Sequence, residues 1–171
     1  MNAHVNYDEL PTDTTDTGAI QADLLVLLGG QQVTVHTCEE ADFDYMENED
    51  VAFTVKKPHS EEDLLIELCG EFSVFFGTWH GTYKADEAEY DRMKQDVTAI
   101  LNGQAAVLTL YAGGKWLGGV LCREKLLADA DAAALLARPE VLPGMADKVR
   151  QLGGRVELVC WDPAQNRTLH V

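Results

Sequence analysis

The sequence predicts an α+β fold: a single domain over residues 1–171, with a largely antiparallel sheet of about 6–8 strands and three or four helices. Three observations carry this expectation. Apolar residues alternate with polar ones in short runs that follow one another closely, separated by glycines. Helical spacing is confined to a few isolated stretches. The regular strand–helix alternation of a doubly wound fold is missing.

Residues 1–16 hold Pro11 and a polar run with little that could pack, and are expected to be poorly ordered. Ile20, Leu24, Leu27 and Leu28 then recur at helical spacing, with Asp16 or Thr17 as a cap and Gly29-Gly30 as the stop. A buried strand over Leu24–Leu28 is the alternative. Gln32–Thr37 reads as a strand in which Val33 and Val35 alternate with Thr34 and His36. Glu39–Asp50 interleaves acids with aromatics and reads as a second strand or a surface loop. Val51–Lys57 places Val51, Phe53 and Val55 on one face, and Pro58 ends it.

The centre of the chain predicts a β-hairpin. Leu64, Ile66 and Leu68 alternate, Gly70-Glu71 turns the chain, and Phe72, Val74 and Phe76 alternate in return. The return strand is expected to run on to Tyr83, with His80 on the face of Phe72, Val74 and Phe76, and with Phe75 and Trp79 opposite. A helix follows. Asp86 caps it with Glu89 three residues on, and Tyr90, Met93, Val97, Ile100 and Leu101 form its apolar stripe before Gly103. Strands are expected over Ala105–Tyr111 and Trp116–Cys122 around Gly113-Gly114. Further helices are expected near Leu126–Ala137 and Met145–Leu152. Arg155–Trp161 and Arg167–Val171 close the chain as strands around an Asp-Pro turn.

Charge is the most distinctive bulk property. The net charge is −16, and residues 1–55 hold twelve Asp and Glu with no Lys or Arg, whereas residues 101–171 hold seven acids and eight bases. The charge argues against nucleic acid and anionic membrane as direct partners, because both need a cationic surface. A basic partner protein fits. Cys38, Cys69, Cys122 and Cys160 are widely spaced, and Met1–Leu10 has no basic segment that would open a secretory signal. A reducing cytoplasm is therefore expected.

Two functional readings follow. The first is a non-enzymatic, acidic protein-binding module for a basic partner, in the manner of an immunity protein or inhibitor that neutralises a basic enzyme. Its contacts would be Phe43, Asp44, Tyr45, Glu47, Glu49 and Asp50, with charge steering the encounter and Phe43, Tyr45 and Met46 anchoring it. The second is a small enzyme or ligand-binding protein with a pocket of Phe75, Trp79, His80 and Tyr83, in which His80 is the candidate acid–base group.

No metal site is expected. His36 and Cys38 form only an H-x-C pair, and the oxygen-rich run Asp42–Asp50 lacks the central Gly of a calcium loop. No cofactor is expected either: GxGxxG is absent, and Gly113-Gly114-Lys115 is followed by Trp116 rather than the Ser or Thr of a phosphate-binding loop. Oligomeric state is left open, with Arg167–Val171 as an edge that could pair with another chain.

Overall fold

The computed structural model describes residues 17–123 and 129–171. The expectation of a poorly ordered 1–16 lies outside them. The fold is α+β with two antiparallel sheets, one of five strands lying side by side in chain order and one of four. The chain divides into two compact units. The first comprises the described residues up to 56, with 62–75 and 80–98; the second comprises 57–61, 76–79 and the described residues from 99 onwards.

The first unit holds α1 (Thr17–Leu27), β1 (Val33–His36), β2 (Val51–Val55), β3 (Leu64–Cys69) and most of β4 (Glu71–Phe76), β5 (Trp79–Tyr83) and α2 (Glu87–Leu101). Leu24–Leu28 is helical rather than extended, because Ile20, Leu24 and Leu28 repeat at four-residue spacing and are all buried. Asp86 caps α2, its side chain accepting the Glu89 backbone N–H at 2.9 Å.

The sheet has two different faces. Val51, Phe53 and Val55 register against Leu68, Ile66 and Leu64, and Leu68 and Ile66 against Phe72 and Val74. All of these are buried, and the helices cover this side: the Tyr90 ring meets Phe72 edge-on at 5.7 Å. The opposite face carries Thr34, His36, Ala52, Thr54, Leu65, Glu67, Cys69, Ser73 and Phe75, the residues that alternate with the core set.

The second unit holds β6 (Ala105–Ala112), β7 (Lys115–Arg123), α3 (Ala132–Leu136), α4 (Pro143–Leu152), β8 (Gly154–Val159) and β9 (Arg167–His170). One face of its sheet, with Ala106, Leu108, Leu110, Val156 and Leu158, packs against Leu135, Leu136, Ala146 and Val149 of the helices. On the other face Thr109 is also buried, its hydroxyl 2.6 Å from that of Thr78. β6 is thus covered on both sides, which is why its sequence is apolar apart from Thr109.

Three expectations change in detail. The helix expected over Leu126–Ala137 is described only from Ala132, with Asp131 as its cap and Leu136 as its end, and residues 124–128 lie outside the description. The long strand from Phe72 to Tyr83 is broken into β4 and β5 by a two-residue turn, Gly77-Thr78. Gly77 has φ +57°, a value open to glycine at the first position of a tight hairpin turn. That turn resets the alternation, so His80 lies on the exposed side beside Phe75, not with Phe72, Val74 and Phe76.

Candidate binding face

Glu39–Asp50 is neither a strand nor a free loop. It connects β1 to β2 through a short 3-10 turn at Ala41–Phe43 and is held against the helix-free face of the first sheet. His36, the last residue of β1, is the hinge of this attachment. Its Nδ1 lies 2.7 Å from Glu40 Oε2 and its Nε2 lies 2.8 Å from Thr54 Oγ1 on β2. Phe43 stacks flat on the same imidazole, with centroids 4.2 Å apart. Further along, Tyr45 donates its hydroxyl hydrogen bond to Glu67 of β3. The Glu47 backbone N–H donates to Asp50 Oδ2 at 2.8 Å, and the Cys38 thiol donates to Asn48 Oδ1 at 3.6 Å.

Met46 is 5% exposed and turns inward as a plug, so it is not the surface anchor that the sequence suggested. Phe43 and Asp50 are half-buried, while Asp42, Asp44, Tyr45, Glu47 and Glu49 are exposed. Tyr45 stands out most, at 59% exposure. A large aromatic ring is therefore presented among four exposed carboxylates, on a loop whose shape is set by side-chain bonds to two strands.

Cys69 sits beside this attachment. Burial, then the carboxylates of Asp50 and Glu67, push its thiol up to about 12. It is thus a protonated, poorly nucleophilic group at neutral pH. The four cysteines are free thiols, Cys122 and Cys160 buried and the other two half-buried.

The residues proposed from the sequence as a pocket separate along β5. Phe75 and His80 form one surface feature, their rings stacked 5.9 Å apart on the helix-free face. Phe75 is 37% exposed. Tyr83 points the other way: it is 1% exposed, and its hydroxyl donates to Asp96 Oδ2 on α2 at 2.7 Å. Trp79 is half-buried and belongs to the second unit. Because Leu65 registers against Phe75 and Glu67 against Ser73, the Phe75–His80 pair and the Tyr45–Glu67 contact occupy one face, two residues apart along the strands.

His36, Glu40, Thr54 and Glu67 complete this face. The sequence marked His36 only in an H-x-C pair with Cys38 and Glu40 only within the acidic stretch, and Glu67 left a trace as a lone acid on the outward position of an otherwise apolar strand. Among the described residues, no group of three or more His, Cys, Asp and Glu side chains is arranged to hold a metal ion. No described helix is long and apolar enough to cross a membrane. Comparison with protein-family models, curated proteins and solved structures gave no match.

Proposed function

We propose that the protein is a binding module whose helix-free face, centred on the Glu39–Asp50 loop, docks a basic partner protein. The observation that carries this reading is Tyr45, an exposed ring anchored through its hydroxyl to Glu67 and flanked along the loop by the exposed Asp42, Asp44, Glu47 and Glu49. Aromatic residues presented in a fixed orientation supply binding energy, while like charges around them steer a cationic surface towards the site. The loop's bonds to His36 and Glu67 remove much of the ordering cost that a free acidic loop would meet on binding. Phe75 and His80 extend the apolar part of the face.

Neutralisation of a basic enzyme, as by an immunity protein, is the most concrete form of this role. The charge supports it: residues 39–50 hold seven acids and no Lys or Arg, so the field at the loop is of one sign. The test is the association rate with the captured partner. Replacing Asp42 and Asp44 by Asn, and Glu47 and Glu49 by Gln, should slow association and flatten its dependence on salt. Unchanged kinetics would remove the proposal.

A further inference from the structure

On the helix-free face, Glu67 of β3 stands opposite Ser73 of β4, and Leu65 stands opposite Phe75. Glu67 and Phe75 are therefore diagonal neighbours, a spacing that long and aromatic side chains bridge. β4 lies between β3 and β5, so His80 stacks on Phe75 from the side away from Glu67, with centroids 5.9 Å apart. His80 thus covers one side of the ring, and Phe75 is still 37% exposed.

Tyr45 adds a second ring. Its hydroxyl donates to Oε1 of Glu67, and its side chain is 59% exposed. A carboxylate has about four acceptor positions, and this bond uses one of them. Lys56 follows β2 in the same alternation as Ala52 and Thr54, but it is drawn to Asp63 at 3.1 Å and does not neutralise Glu67. Asp50 contributes a second carboxylate: after burial, Asp50 and Glu67 are what push the nearby Cys69 thiol up to about 12. The potential on this part of the face is negative.

We infer that Glu67 and Phe75 form a site for an arginine side chain of the basic partner. The inference rests on the docking role proposed for this face and names its contact chemistry. Charge selects a cation, and the rings of Phe75 and Tyr45 select guanidinium over ammonium. A planar guanidinium stacks on a ring while its N–H fork donates to a carboxylate. An ammonium is more strongly hydrated and loses more on leaving water. Leu65, half-buried beside Phe75, offers apolar surface to the stem of the side chain.

NMR titration of the isotope-labelled full chain with N-acetyl-arginine amide tests it, with N-acetyl-lysine amide as the equally charged control. A ligand this small should bind with a dissociation constant on the order of millimolar. The arginine amide should shift the backbone amides of Leu65, Glu67, Ser73, Phe75 and His80, and should bind at least about fivefold tighter than the lysine amide. Glu67→Gln still accepts the Tyr45 hydrogen bond but loses the charge, and Phe75→Ala loses the ring. Each should weaken binding by roughly fivefold or more. No shifts at these residues, or equal binding of the two amides that ignores both variants, would overturn the inference. A captured partner separates this site from the docking role. Its affinity should fall at least about tenfold for the chain carrying both Glu67→Gln and Phe75→Ala. A partner lost with the neutralised loop but held unchanged by that double variant would overturn the arginine site and leave the docking role standing. A partner held unchanged by both variants would overturn the two together.

Discussion

Phe43 lies flat on the imidazole of His36, with ring centroids 4.2 Å apart and planes 15° from parallel. The same imidazole is bonded to Glu40 on one nitrogen and Thr54 on the other. His36, fixed to β2 through Thr54, therefore holds the acidic loop by one polar contact and one ring face. Phe43→Ala removes the ring contact, which is worth about 0.5–1.5 kcal/mol for an aromatic pair. Amide exchange over residues 41–48 should speed up by roughly tenfold, with little change in the melting temperature of the whole chain. A large fall in melting temperature instead would mean that the loop is part of the cooperative core.

Cys69 gives a chemical test of the same region. Its thiol ionises near 9.0 in an unfolded chain and near 12 in the folded one, through burial and then Asp50 and Glu67. Alkylation of folded Cys69 at pH 8 should be slower than that of an unfolded-chain thiol by roughly two orders of magnitude or more. Asp50→Asn should recover part of the rate. The sign for stability follows from linkage. The folded state holds this proton more tightly, so the contribution is fully present below pH 9 and is lost as pH rises towards 12. Mass-spectrometric alkylation rates and urea melts across that range check both statements.

Tyr83 and Asp96 form a buried polar contact between β5 and α2, at 1% and 3% exposure. Tyr83→Phe keeps the ring and deletes the donor to a carboxylate, so it should cost about 2 kcal/mol. The urea midpoint should fall with an unchanged slope. A neutral effect would show that Asp96 is satisfied equally well by its other surroundings.

Gly119 is required by a close approach in the second unit. A Cβ built there would lie 2.7 Å from the Thr78 carbonyl oxygen, which is backbone and cannot rotate away. Gly119→Ala should destabilise the chain by about 1–3 kcal/mol, the range for overpacking. Gly114→Ala is the control for crowding, since nothing lies within 4 Å of a Cβ there. It retains only the strain of its φ of +77°. Thermal melts of the two variants separate the effects.

Much of the fold was legible because side-chain alternation survives local reading. Leu64–Leu68 and Phe72–Phe76 announce a hairpin, and Tyr90 to Leu101 announce α2, each from its own period. Division into two sheets was not legible, since periodicity says which face of a strand is buried but not which strand lies beside it. The break at Gly77-Thr78 was masked by aromatics on both sides of it, and that error carried His80 to the wrong face. The acidic loop was visible as composition only. Its order depends on partners 18 and 22 residues away, Thr54 for His36 and Glu67 for Tyr45, which no local pattern joins. The register shift between β6 and β7 was hidden too, because a bulge moves the alternation by one residue.

The most direct test of the central claim is affinity capture from the native host's lysate at low and high salt. The wild-type chain would be compared with a loop variant carrying Asp42→Asn, Asp44→Asn, Tyr45→Ala, Glu47→Gln and Glu49→Gln, and bound proteins identified by mass spectrometry. The expected result is a basic protein held by the wild-type chain at low salt, weakened at high salt and lost with the loop variant. Capture of the same proteins by both chains, or of none by either, would contradict a binding role for this face.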